Sequence, residues 1–172
     1  MRHAAVVVTV FCLAFGGCGG KEQQTAATPR EPDAHSTGYY CGMALKEHKG
    51  PKGQILLKGM SEPLWFSSVR DALTYVEQDL ASENELAGFW VNDMAQGTWD
   101  SPAPGSWIDA RTAWFVVDSK KLAAMGGSEA IPFKDRSVAE AFAKEQGGRI
   151  TDYASARRVI ASTSPPVGGD GS

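Results

Sequence analysis

Sulfur and imidazole are scarce in this chain, and runs of positive charge are missing. Its 172 residues carry three cysteines and three histidines, with no CxxC pair, so a thiolate-rich zinc site is poorly supported. Acidic residues are scattered and form no EF-hand loop, which leaves a hard-ion site equally weak. There is no GxSxG, HExxH, P-loop or dinucleotide fingerprint. Seventeen basic residues face twenty acidic ones, for a net charge of -3 and no basic patch, so nucleic acid is not an expected partner. The one long apolar run, Ala4 to Phe15, is about a dozen residues against the ~20 a spanning helix needs.

What remains is ordinary for a globular protein: 42% hydrophobic and 22% charged residues argue against global disorder. The length fits one compact domain with tails, or two half-domains sharing a core. Residues 1–17 read as a lipoprotein signal peptide, with Arg2 and His3 ahead of the apolar run. Gly16-Gly17-Cys18 then resembles a bacterial lipobox, with Phe15 bulkier than the usual aliphatic. Removing that segment takes away Arg2 alone and leaves -4. Cys18 is the expected lipidation site, its acyl chains anchoring the protein without spanning the membrane. Residues 18–37 are polar, with two prolines, and read as a flexible lipidated tether. Residues 162–172 read as a disordered tail, so the folded domain is expected over 38–161.

Within it the pattern runs twice. Gln54–Lys58 and Pro63–Phe66 are strand candidates. Ser68 with Asp71 sits in capping-box position before Val69, Ala72, Leu73, Val76 and Leu80 at helical spacing, and Gly88–Asp93 resumes the strand pattern. The second pass is expected to open at Trp107. Trp107–Ala110 and Ala113–Asp118 read as strand, the latter buried on both faces. Ile131-Pro132-Phe133 reads as an edge strand because of its proline. A helix capped by Ser137 and Glu140 follows, closed by Gly147-Gly148, and Arg149–Tyr153 ends as strand. Met60–Phe66 resembles Met125–Phe133: Met, then Ser-Glu, then apolar residues closing on Phe. The expectation is an α+β fold of two tandem ββαβ repeats, each too small to stand alone and so sharing one core.

The chemistry centres on Tyr39-Tyr40-Cys41-Gly42-Met43. Cys12 lies in the export segment and Cys18 at its cleavage point, so Cys41 is the one free thiol of the mature chain. An unpaired thiol kept in an oxidising compartment suggests use. Thiolate with the nearby Met43 thioether is a soft donor set that selects copper(I). Met125, ahead of Gly126-Gly127 in a loop, is a further candidate, approaching Cys41 across the boundary between the halves. Met60 and Met94 read as core or loop, and His48 has no assigned role. Tyr39 and Tyr40 precede the thiol and could shield a metal from water.

The lipobox, tether, Cys-Gly-Met turn, Trp-Ile-Asp-Ala strand, Met-Gly and Ile-Pro-Phe segments, capped Ala-Glu-Ala-Phe helix and Gly-Gly-Arg-Ile together resemble the NosL family of nitrous-oxide-reductase accessory lipoproteins, over roughly Tyr40 to Tyr153. The resemblance implies a fold similar to the ββαβ repeats of organomercurial lyase. It also implies a periplasmic copper(I) chaperone, not an enzyme, anchored by its lipid in the bacterial envelope, in the outer membrane. Its implied partners are the nitrous oxide reductase apoprotein and an ABC-type maturation transporter, in denitrification. Cys41 and Met43 match the family's sulfur motif, and Met125 its Met-Gly methionine. Two departures stand out: Gly38 and Tyr39 occupy positions where members often carry a second cysteine, and Gly127 stands where many carry histidine. Both favour a low-coordinate site open to a partner's ligand. The alternatives are a cysteine-dependent enzyme on the same fold, with no acid or base adjacent to Cys41 in sequence, and an envelope scaffold lipoprotein that binds no metal.

Overall fold

The computed structural model describes residues 27–78 and 81–163. The signal segment over 1–17, Cys18, Leu80 and the tail beyond Thr163 lie outside the described residues.

Apolar alternation and capping build two units of the same order. In the first, β1 (Gly53–Leu57), β2 (Leu64–Phe66), α1 (Val69–Glu77) and β3 (Leu86–Asn92) follow in turn. In the second, β5 (Trp114–Val117), β6 (Ile131–Phe133), α2 (Arg136–Gln146) and β7 (Arg149–Thr151) repeat the sequence. Each unit makes an antiparallel sheet with its first strand in the middle, β2-β1-β3 and β6-β5-β7. The α+β reading with two ββαβ repeats therefore holds, and Pro132 sits on the edge strand β6 where its missing N–H does no harm.

The halves share a core. Ile55, Phe66, Leu73, Val76 and Phe89 from the first unit pack with Phe115 and Val117 from β5 and with Tyr153, Ala156 and Ile160 beyond it. Val116, on the other face of β5, joins Ile131, Phe133 and Ala139 in a smaller cluster under α2. Alternation along one strand thus serves two cores, which is why that strand reads as continuously apolar. Ser68 caps α1 as expected, its Oγ accepting from Asp71 N at 3.1 Å, and the buried face is Val69, Ala72, Leu73 and Val76.

Four expectations are corrected. Trp107–Asp109 forms β4 and adds to the first sheet, pairing with Trp90, Val91 and Asn92 of β3; the second unit opens only at Trp114. The cap of α2 is Asp135, and Ser137 lies inside its first turn, where Arg136 and Glu140 pair at 3.0 Å. Tyr153 does not end a strand but begins α3 (Tyr153–Thr163), which also carries the folded part past 161 into the expected tail. Asp152 Oδ1 accepts from Ser155 N at 2.8 Å at that helix start. Arg157 of α3 then holds Glu77 of α1 at 2.9 Å and Glu83 at 2.6 Å.

The fourth correction concerns the tether. Residues 30–37 are docked. The side-chain amide of Gln54, fully buried on β1, accepts from Arg30 N and donates to Arg30 O, both at 2.9 Å. Glu31 Oε1 accepts from Gly105 N at 2.8 Å and from Trp107 Nε1 at 2.9 Å. A segment with no large apolar side chain docks here because a buried amide needs both its polar atoms met, and backbone supplies them.

Candidate metal site

Cys41 is held in a closed turn just ahead of β1. Gly42 N donates to Gly38 O at 2.8 Å, and Gly38 N donates to Met43 O at 2.9 Å. Gly42 has φ +65°, a left-handed conformation that favours glycine. Tyr39 N donates to Trp65 O at 2.7 Å, tying the turn to β2. The Tyr39 ring meets Tyr40, Tyr75 and Phe66 at 5.2, 5.3 and 5.8 Å between centroids, so the two tyrosines lean on the core as a partly exposed aromatic wall.

The half-buried thiol has a polar neighbour that sequence reasoning passed over. Sγ lies 3.6 Å from His48 Nε2, 3.7 Å from Ser67 Oγ and 4.0 Å from Gly38 O. His48, only 8% exposed, is brought back by a single 3-10 turn over Leu45–Glu47. The signal was the Cys-x6-His spacing, which carries little weight until that turn is seen. One metal ion with sulfur at ~2.3 Å and nitrogen at ~2.0 Å would subtend about 115° across such a pair, between tetrahedral and trigonal. That leaves directions for one or two further donors.

The two candidate thioethers are both exposed. Met43 is 44% exposed and Met125 64%. Met125 tops a tight turn in which Gly126 N donates to Ala123 O at 2.8 Å and Ala123 N to Gly127 O at 3.0 Å. This loop and the thiol reach the same end of α1. Cys41 is beside Ser67, and a Cβ on Gly127 would overlap the Arg70 guanidinium. Arg70 thus fills the room that a larger residue at 127 would take. Met60 lies in an exposed turn and Met94 packs against the smaller core, so neither is gathered here. Among the described residues no three His, Cys, Asp or Glu side chains form a metal-holding group, and the donors at the turn are the Cys41 thiol, the His48 imidazole and the Met43 thioether.

Charge around the helix end is buried. Burial raises the Asp71 carboxyl, against the Ser68 hydrogen bond and the neighbouring Arg70 and His48. Burial likewise pushes Tyr40 up to about 12, with Asp71 adding to it. Glu129 accepts from Arg70 N at 2.8 Å and Ala130 N at 2.9 Å, yet burial still pushes it to about 8. Lys52 is brought down to about 8 by burial, with Glu129 opposing the shift.

The family model NosL matches residues 29–158. This chain belongs to the NosL family. It is 36% identical over 168 residues, 95% of this chain and 86% of the relative, to a copper-binding lipoprotein NosL from Achromobacter cycloclastes. It is 36% identical over 158 residues, 88% and 80% of the two chains, to a copper-binding lipoprotein NosL from Stutzerimonas stutzeri. The crystal structure of the copper chaperone NosL from Shewanella denitrificans superposes with a TM-score of 0.68 at 31% identity, covering 74% of this chain and 93% of that one. These NosL relatives are named as a copper-binding lipoprotein and a copper chaperone, not as enzymes. Among the described residues no helix is long and apolar enough to cross a membrane.

Proposed function

We propose that this NosL-family protein is a copper(I) chaperone of the bacterial envelope. It would be anchored through acyl chains on Cys18 and would deliver copper to nitrous oxide reductase together with an ABC-type transporter. The observation that carries the copper reading is the Cys41 Sγ to His48 Nε2 separation of 3.6 Å, in a chain whose Met43 and Met125 thioethers are exposed. Thiolate, imidazole and thioether suit copper(I). Cys41 supplies the one charged donor and loses its proton when metal binds. His48 is the fixed neutral donor. Met43 and Met125 are uncharged at every pH, so either can leave without a proton step and let an acceptor's ligand in.

A thiol beside an imidazole is also the pairing a cysteine nucleophile uses. The exposed methionines have no part in such chemistry, and they favour the carrier. The test is a copper(I) titration of the full chain against a chromophoric chelator. One equivalent withheld by the parent and none by Cys41→Ser is expected. Equal retention by both proteins would move the site elsewhere and end this reading.

A further inference from the structure

His48 belongs to two places at once. Its Nε2 faces the thiol, and the residue also lines a cavity of about 280 Å³ beneath the docked segment and the loop around Pro102. Lys52 lines the same cavity and is only 7% exposed. Its ammonium has three N–H donors. One goes to Gly50 O, and among the described residues the other two have no protein acceptor.

The cavity's acids are already engaged. Glu31 accepts from Gly105 and Trp107, Asp33 from His35 N and Ser36 Oγ, and Asp100 pairs with Lys49 at 3.0 Å. Glu129, whose charge reaches Lys52, forms no ion pair with it and turns Oε1 to two backbone amides. A buried ammonium in that position calls for an anion. The imidazole has a matching need. A histidine that ligates metal through one nitrogen ordinarily donates its other N–H to a carboxylate or carbonyl, and among the described residues the one hydrogen-bond contact of the His48 ring is Sγ, the Asp71 carboxyl acting on it only through its field.

We propose that this cavity is a carboxylate-binding site, in which the carboxylate is held by Lys52 and the His48 imidazole and sets the grip of His48 on copper. The second half rests on His48 being a copper ligand, as proposed above. A bound carboxylate would fix the tautomer that leaves Nε2 free for metal, and would raise its basicity. The coupling is reciprocal: whatever tightens copper here is itself held more tightly by the loaded protein. The carboxylate is that of a small free acid or of an aspartate or glutamate on a docking protein, and the chemistry is the same.

The test uses the full, reduced, copper-free chain and sodium acetate, with sodium chloride at equal ionic strength as control. Saturable acetate-specific NMR shifts at Lys52 and the His48 ring are expected, with affinity at least tenfold lower in Lys52→Met. Equal effects of chloride in the parent would overturn the site, whether or not the variant folds. A blocked Gly-Asp-Gly peptide that binds more tightly than acetate assigns the site to a protein side chain, and one that binds less tightly assigns it to a free acid. Saturating acetate should then raise copper(I) affinity about tenfold in the parent and leave Lys52→Met unmoved. Acetate binding with unchanged copper affinity would overturn the coupling and remove His48 from the ligand set, while the anion site stands.

Discussion

Gly38 and Cys41 are fitted to one another: a Cβ on Gly38 would stand 2.7 Å from the Cys41 Sγ and 3.4 Å from Ser67. The thiol occupies the space that a side chain at 38 would need. A cysteine placed there could not simply join Cys41 as a second ligand, because the two would compete for that space. Gly38→Ala should therefore leave the fold intact and rotate the thiol away from His48. Copper(I) affinity in a chelator competition should fall at least tenfold, with the thermal midpoint of the copper-free protein nearly unchanged. Unaltered affinity would show that the thiol's present direction is irrelevant to binding.

Cys41→Ser should abolish tight copper(I) binding, since a hydroxyl is a hard, weakly acidic donor, and His48→Ala should weaken it by a smaller factor. Binding by the parent should weaken steadily as pH falls, because protons compete for both thiolate and imidazole. A pH-independent affinity in competition titrations would contradict a thiolate ligand.

Met125→Leu tests the loop. The side chain is largely exposed and leucine is close to it in volume, so the melting temperature of the copper-free protein should barely move. Copper(I) binding should weaken, and X-ray absorption should count one fewer sulfur. An unchanged sulfur count would leave Cys41, His48 and Met43 as the set.

Glu129 should set a pH dependence of stability. Its pKa is raised from 4.5 to about 8, first by burial, so the folded state binds a proton that the unfolded state has released. Stability is then full below about pH 4.5 and declines as pH rises toward 8. Lys52, depressed from 10.5 to about 8, acts only above that window and in the opposite direction. Glu129→Gln, which keeps an acceptor for Arg70 N and Ala130 N, should flatten the urea midpoint between pH 5 and 8. A parent midpoint that rises across that range would refute this assignment.

The repeat was legible because it lies in local signals. Ser68 ahead of an apolar helical face, Pro132 in an edge strand and the double burial of Phe115 to Val117 can each be read from neighbours in sequence. β4 was misassigned because Trp107-Ile108-Asp109 has the pattern of a strand, and pattern does not say which sheet will take it. α3 was missed although Asp152 with Ser155, and Tyr153, Ala156 and Ile160 at helical spacing, were there to read; the strand at Arg149–Thr151 was carried two residues too far. At the candidate site, Cys41 and Met43 are singled out by their chemistry alone. His48 is not, since its place depends on a 3-10 turn and on burial. The role of Gln54 in docking Arg30 was beyond sequence reasoning altogether, because a lone glutamine carries no sign of its partner.

That docking sets the length of a leash. With an acyl anchor on Cys18, only twelve peptide steps remain before Arg30 is fixed to Gln54, a span of at most about 40 Å when fully drawn out. A chain free as far as Gly38 would reach about 70 Å. Lengthening the segment between 19 and 29 should widen the reach without touching metal affinity, and a loss of affinity on such insertion would sink the idea. Under the proposed delivery role, an acceptor whose receiving site stands higher above the bilayer would have to tip toward the membrane to be loaded, or draw Arg30 off Gln54 first.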